Sequence, residues 1–138
     1  MDIDATNHIA GRLASIAAKK ALLGEEITIV HSEEAIITGT WENVLQEWKG
    51  SREKGSPRKG PFISRMPDRL LRRMIRGMLP FERARGREAF QRVKCYVGVP
   101  KELQGRKFEQ IKEADASKLS TLRYVKLKDL SRQMGGKI

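Results

Sequence analysis

The sequence predicts an α/β fold, because segments with the composition of strands alternate with segments of helical periodicity along its first third. Residues 26–30 are rich in β-branched side chains, which favour a strand. Residues 9–23 are rich in alanine and repeat apolar side chains at helical spacing, which indicates a helix that packs closely on a sheet. Short strands separated by helices are typical of parallel sheets with crossover connections. At 138 residues, the chain is expected to form one domain over residues 1–138.

Glycines and cap-forming residues divide the first half of the chain into short elements. Gly24 is expected to end the first helix, and Thr40 to cap the second. Trp41, Val44 and Trp48 form an amphipathic stripe in the second helix. In order, the predicted elements are a strand over 2–5, a helix over 9–23, strands over 26–30 and 35–38, and a helix from residue 41.

Proline and glycine also delimit the elements of the second half. Pro67 suits a first helical position, and Pro80 prevents that helix from continuing. Residues 122–127 are compatible with a strand or with part of a helix. In order, the predicted elements are a helix from 67 or 68 to about 78, a helix over 87–94, a strand over 94–99, and a short final helix that ends at Gly135.

The net charge is concentrated in one segment. Residues 49–94 carry 15 Lys and Arg and 4 Asp and Glu, which accounts for the whole formal charge of +11. The rest of the chain carries 13 residues of each sign. A one-sided positive field of this kind attracts a polyanion, so residues 49–94 are predicted to be a basic segment that faces nucleic acid.

Arginines repeat at helical spacing along the helix that begins at Pro67. Arg69, Arg72, Arg73 and Arg76 share one face, and an apolar face opposite them is predicted to pack on the protein. Like charges at this spacing repel one another, so the arrangement makes sense if phosphates neutralise it. A solvated, solubilising face is the alternative, but such a face would carry both signs. The apolar face is expected to consist of Leu70, Leu71, Met74, Ile75 and Met78.

Residues 50–61 contain no large apolar side chain and are predicted to form a mobile basic loop that orders on RNA. An ordinary flexible insertion would have the same composition. Aromatic residues make up 6% of the chain, and none lies between 49 and 61. This scarcity disfavours a stacking platform for single strands and favours contact with the backbone and shape of folded RNA.

The residues that catalysis would need do not form a recognisable set. His8 and His31 show no metal-ligand spacing, and Cys95 lies in an apolar run that indicates a packed side chain. Gly55 and Gly60 have the spacing of a phosphate-binding loop, but the Lys-Ser/Thr pair that should follow is missing. No enzyme activity, cofactor, metal or small-molecule substrate is therefore expected. The sequence also lacks a signal peptide and an apolar run long enough for a membrane, so a cytoplasmic protein is predicted.

Several short motifs occur in a characteristic order and spacing. They are Asp4-Ala5, Gly11 to Ser15, Ala35 to Gly39, Gly77 to Pro80, Gly86 to Phe90 and Lys94 to Pro100. In this order the motifs resemble the ribosomal protein L13 family of the large ribosomal subunit. Residues 51–61 and the ending from residue 126 to Gly136 resemble the archaeal branch of that family.

The resemblance implies a three-layer α/β/α fold with a four-stranded parallel sheet and a basic loop and helix insert. It also implies a structural constituent of the large subunit that binds 23S-type rRNA, supports subunit assembly and contacts neighbouring ribosomal proteins. The candidate RNA-binding residues are Arg12, Arg52, Lys54, Arg58, Lys59, Arg65, Arg69, Arg72, Arg73, Arg76, Arg83, Arg85, Arg87 and Arg92.

Two other classes of protein remain open from the residues alone. An RNA-modifying enzyme on an α/β fold would need a cofactor pocket and a base or nucleophile at the carboxyl ends of its strands. A free regulatory nucleic-acid binder would share the basic segment but would stay off the ribosome.

Overall fold

A computed structural model describes residues 1–53, 65–118 and 123–136. The first half runs strand, helix, strand, strand, helix, as the sequence predicts. Residues 122–127 were compatible with a strand or a helix; of these, Tyr124–Lys126 form a strand and Leu127 begins a helix, while residue 122 lies outside the described residues. The elements are β1 (Asp2–Asp4), α1 (Ala10–Leu22), β2 (Ile27–Val30), β3 (Ile36–Thr38), α2 (Trp41–Glu53), α3 (Pro67–Gly77), α4 (Ala84–Gln91), β4 (Val93–Cys95), β5 (Tyr124–Lys126) and α5 (Leu127–Gln133).

A parallel sheet with the strand order β1-β2-β4 lies at the centre of the fold. Ile3 is opposite Ile29 across the first strand pair, and Ile27 is opposite Val93 across the second. Because side chains alternate along a strand, the inward residues share one face of the sheet. Ile3, Ile27, Ile29, Val93 and Cys95 are all buried on that face.

Three helices cover the apolar face of the sheet. α1 and α3 pack on each other, α1 also packs on α4, and α3 and α4 both contact β4. Alanines at positions 14, 17, 18 and 21 are buried along α1, which lets its backbone approach its neighbours closely. The opposite face of the sheet carries polar side chains such as Thr28 and Lys94, and Leu103 and Arg106 lie beside it. The core of the domain therefore lies between the sheet and α1, α3 and α4, and it continues through Leu127, Leu130 and Met134 at α5.

The predicted four-stranded parallel sheet is wrong, because the residues that the structure describes form a parallel sheet of three strands. Beside β1, Glu109 makes an isolated parallel bridge: the Asp4 N–H donates to the Glu109 carbonyl at 3.0 Å, and the Glu109 N–H donates to the Asp2 carbonyl at 2.9 Å. In a parallel ladder the next amide to pair with β1 would be that of Ile111. That amide instead donates to Nε2 of His8 at 2.8 Å, so the pairing stops after one residue.

The strand over 36–38 does not join the parallel sheet. β3 pairs with β5 in an antiparallel two-stranded sheet, with Ile37 opposite Val125. His31 has a left-handed backbone conformation, with φ of 54°, and a 3-10 helix over Ser32–Glu34 follows it. This turn leads the chain away from β2 before β3 begins, which explains why a second sheet forms.

Three other predictions need correction. α2 continues to Glu53, so residues 50–53 of the predicted loop are helical, while 54–61 lie outside the described residues. The helix predicted over 87–94 is α4 (Ala84–Gln91), which begins earlier because Arg83 adopts the extended conformation of an N-cap. The strand predicted over 94–99 is the shorter β4, because its pairing with β2 ends at Cys95, which lies opposite Ile29.

Candidate nucleic-acid interface

α3 has the two opposite faces that its sequence predicts. Leu70, Leu71 and Ile75 are buried against the core, whereas Arg69 and Arg73 on the other face are exposed. Met78 departs from the prediction: it is 45% exposed, since it lies past the end of α3. The helix therefore holds its arginines on a rigid base.

Arg72 does not project freely from this face. Its Nε donates to the Val93 carbonyl at 3.1 Å, and its Nη2 donates to the Phe90 carbonyl at 3.3 Å. Its guanidinium also lies 4.0 Å from the centre of the Phe90 ring, within the range of a cation–π contact. Arg72 therefore ties α3 to α4 and β4, and its charge is held in a fixed position.

Arg76 is held by a second aromatic ring. Its guanidinium lies 4.1 Å from the centre of the Phe81 ring. The rings of Phe81 and Phe90 meet edge to face, with centres 5.6 Å apart and an angle of 90° between their planes. The two rings and two guanidinium groups form one connected cluster, which we call the Arg–Phe cluster (Arg72, Arg76, Phe81 and Phe90).

The basic side chains of α4 and its ends are partly anchored as well. Arg87 Nη1 lies 3.3 Å from the Glu82 carbonyl and 3.5 Å from the Phe81 carbonyl. Arg92 Nη1 donates to the Ala21 carbonyl at 2.9 Å, at the end of α1. Each of these arginines donates to a backbone carbonyl, and the other N–H groups of its guanidinium remain available to bind a ligand.

The structure places the other candidate residues in three groups. Arg69, Arg73 and Arg83 are exposed and line the surface around the Arg–Phe cluster, and Arg85 is exposed on α4. Arg12 is exposed in the first turns of α1, and Arg65 is exposed before α3. Arg52 lies in α2, but its side chain and the residues Lys54, Arg58 and Lys59 fall outside the described part of the structure.

Two adjoining depressions lie along the arginine face. An open groove of about 490 Å³ is lined by Arg69, Arg72, Arg73, Arg76 and Phe90. A second depression of about 400 Å³ lies between the end of α3 and the start of α4. Arg73 and Arg76 line both, so the two depressions form one continuous concave surface.

His8 and Cys95 are buried side chains with structural roles. Nδ1 of His8 lies 2.8 Å from the Thr6 carbonyl while Nε2 accepts from Ile111, which assigns the proton to Nδ1. Burial raises the pKa of Cys95 to about 12, which leaves the thiol protonated and unreactive.

Within residues 1–53, 65–118 and 123–136, no group of His, Cys, Asp and Glu is arranged to hold a metal ion. Nor does any helix in those ranges combine the length and apolarity that a membrane span requires.

Sequence reasoning missed Phe81, Phe90 and the carbonyl acceptors as parts of the site. The i, i+4 spacing of Arg72 and Arg76 places them on one face, but it does not show that two rings from another element lie beneath them. The Pro80-Phe81 pair directly after the helix was the available signal, because proline turns the chain back toward α3.

Fold and site together define a basic α/β domain with a preorganised arginine face. A family model described as ribosomal protein L13 matches residues 1–102. The large ribosomal subunit protein uL13 of Methanosarcina barkeri is 49% identical over 136 residues, which cover 98% of this chain and 97% of the relative. The chain therefore belongs to the ribosomal protein L13 family.

The other relatives considered are also archaeal proteins, as the resemblance predicted. The uL13 protein of Archaeoglobus fulgidus is 47% identical over 134 residues, covering 96% of this chain and 86% of the relative. That of Methanopyrus kandleri is 46% identical over 135 residues, covering 96% and 85%. The similarity extends over nearly the whole chain, including the basic segment.

Proposed function

We propose that this chain is a structural, non-enzymatic constituent of the large ribosomal subunit, that it binds 23S-type large-subunit rRNA, and that it supports subunit assembly. Membership of the ribosomal protein L13 family is the observation that supports this most strongly. Its partners are large-subunit rRNA and neighbouring ribosomal proteins, and its location is the cytoplasmic ribosome.

The arginine face explains how the domain binds RNA. The core between the sheet and α1, α3 and α4 holds the face rigid, so little conformational freedom is lost on binding. Arg69, Arg73, Arg83 and Arg85 supply exposed guanidinium groups for phosphates, whose oxygens accept two parallel hydrogen bonds from each fork. The chain acts as one domain over 1–138, in which residues 49–94 face the RNA. Arg12, Arg52, Lys54, Arg58, Lys59 and Arg65 are the further contacts that we propose.

The dependence of rRNA affinity on salt tests the phosphate contacts. Arg69→Gln/Arg73→Gln removes two exposed charges from α3 without touching the Arg–Phe cluster. Each lost phosphate contact should reduce the slope of log affinity against log salt by roughly 0.7–0.9. Lys101→Gln/Lys107→Gln is the matched control, because it removes the same charge from exposed positions outside the basic segment. Equal slopes for the two double variants would contradict the proposed face.

Sedimentation of a cell lysate separates the ribosomal function from a free regulatory role. The protein should migrate with the large subunit through a sucrose gradient after a high-salt wash. A free regulatory binder would remain near the top of the gradient, and that result would overturn the proposal.

A further inference from the structure

The depression between α3 and α4 differs in chemistry from the groove beside it. Leu79, Pro80 and Phe81 supply apolar surface, while Arg73, Arg76 and Arg83 lie around them. Its volume of about 400 Å³ falls within the range of roughly 300–1,000 Å³ that is usual for small-molecule pockets. Apolar surface next to one anchored guanidinium group, that of Arg76, suits a flat, polarisable group better than a phosphate.

Arg76 presents a guanidinium group that is held in place. Its central carbon lies over the ring of Phe81, which is in turn held by the edge-to-face contact with Phe90. Nucleobases that have left their stack pack on aromatic rings and on arginine planes of this kind. The rings of Phe81 and Phe90 are already partly covered, so Arg76 supplies the stacking surface. This arrangement accommodates one unstacked base of a folded RNA, in contrast to a platform for a single strand.

Glu82 distinguishes a base from a phosphate in this pocket. Glu82 lines the depression and is exposed, so its carboxylate is free to reach a group that enters the depression. A carboxylate repels a phosphate but accepts hydrogen bonds from the amino group of a base. The adjoining groove, in which Arg69, Arg72, Arg73 and Arg76 converge, is where the phosphates flanking that base would lie.

We infer that the depression lined by Arg76, Leu79, Pro80, Phe81 and Glu82 binds a single unstacked nucleobase of large-subunit rRNA. The inference rests on the proposed rRNA binding and adds a base contact to its phosphate contacts. It assigns two roles to neighbouring arginines of one helix: Arg73 binds phosphate, and Arg76 stacks on the base.

The matched variants Arg76→Lys and Arg73→Lys test this division. Both keep the charge, but lysine has no plane on which a base can stack. The full chain is titrated with an in vitro transcript of large-subunit rRNA from the same organism, and thermal unfolding confirms that both variants are folded. Arg76→Lys should raise Kd by roughly 5- to 140-fold, as expected for loss of one stacked base. Arg73→Lys should raise Kd by a smaller factor, and neither should change the salt slope, because both keep the charge.

Chemical probing of the transcript identifies the base itself. With wild-type protein and with Arg73→Lys, a nucleotide should be protected from base-specific reagents (dimethyl sulfate for adenine and cytosine, kethoxal for guanine). With saturating Arg76→Lys, the same nucleotide should regain its reactivity. Identical Kd values and identical protection for the two lysine variants would overturn the inference while leaving rRNA binding intact. Failure of the wild-type protein to bind the transcript would instead overturn the proposed function.

Discussion

Gly86 is a position where the backbone of α4 touches the chain that leads into it. A Cβ built on Gly86 would lie 2.0 Å from the Pro80 carbonyl oxygen, whereas one on Gly11 in α1 meets nothing within 4 Å. Gly86→Ala should therefore lower the free energy of unfolding by about 1–3 kcal/mol, the usual cost of overpacking. Gly11→Ala should raise it by about 0.5–1 kcal/mol through helix propensity. Urea unfolding of both variants checks this, and an equally stable Gly86→Ala protein would contradict the close approach.

His8 is a residue with a structural role that its sequence position did not specify. It is 1% exposed and joins the chain after β1 to Ile111, far along the sequence. His8→Ala leaves the Ile111 N–H without that acceptor, so the free energy of unfolding should fall by about 1–3 kcal/mol. His31→Asn is the control, because asparagine tolerates the left-handed backbone there and His31 is partly exposed. The control should change stability by no more than about 0.5 kcal/mol. If urea titrations show that both variants lose the same free energy of unfolding, the structural role of His8 is contradicted.

At the scale of elements, the sequence predicts what depends on local pattern. Three predictions depend only on residues that are neighbours in the chain, and the structure confirms them. They are the apolar stripe of α3, the β-branched strand β2 and the glycine that ends α1. The pairing of β3 with β5 joins segments that are distant in the chain. Nothing in the local pattern of Ile36–Thr38 distinguishes an antiparallel partner from a parallel one, so that pairing was not predicted.

The same reasoning explains what was predictable at the site. Spacing alone placed Arg69, Arg72, Arg73 and Arg76 on one face of a helix. Their different surroundings follow from the path of residues 80–93, which brings the rings of Phe81 and Phe90 and the Val93 carbonyl to α3. Periodicity within α3 contains no information on that path. The sequence therefore could not distinguish the anchored Arg72 and Arg76 from the exposed Arg69 and Arg73.

An ion-pair cluster ties the turn before β3 to the chain at β5 and α5. Glu34 accepts from Lys126 Nζ at 2.8 Å and from Lys128 Nζ at 3.1 Å. The hydrogen bond from Lys126 is the largest effect on Glu34 and lowers its pKa below the usual 4.5, and the bond from Lys128 acts in the same direction. Because the folded pKa is lowered, the cluster stabilises the fold above the unfolded pKa and loses this effect as pH falls through the folded value.

Glu34→Gln tests this linkage. At pH 7 the variant should have a free energy of unfolding lower by about 0.2–1 kcal/mol, the range for partly exposed ion pairs. In acid below the folded pKa, where Glu34 takes up its proton in the wild type too, most of that difference should be gone. Glu102→Gln, at an exposed position of the 3-10 helix Lys101–Leu103, should show little difference at either pH. A Glu34→Gln deficit that persists unchanged in acid would mean that packing, and not charge, holds the turn.

For the whole molecule, the distribution of charge opposes the stability of the free protein. The net charge of +11 arises from residues 49–94, and α3 alone places Arg69, Arg73 and Arg76 within one or two turns of each other. The Arg–Phe cluster shows how the fold tolerates this: it covers Arg72 and Arg76 with rings and carbonyl acceptors. Arg69 and Arg73 are exposed, so salt or RNA phosphates relieve their mutual repulsion.

Arg73→Gln should therefore stabilise the free protein while it weakens RNA binding. It removes like-charge neighbours at i−4 (Arg69) and i+3 (Arg76), so the free energy of unfolding in about 10 mM salt should rise by roughly 0.4–1 kcal/mol. The gain should shrink in about 0.5 M salt, where the Debye length is only a few ångströms. Lys19→Gln is the matched control: Lys19 lies in the last turn of α1, where a cation favours the helix dipole, so its removal should lower stability at low salt. Urea unfolding at both salt concentrations measures these shifts. If both variants raise or both lower the free energy of unfolding at low salt, repulsion between arginines along α3 does not limit the stability of the free domain.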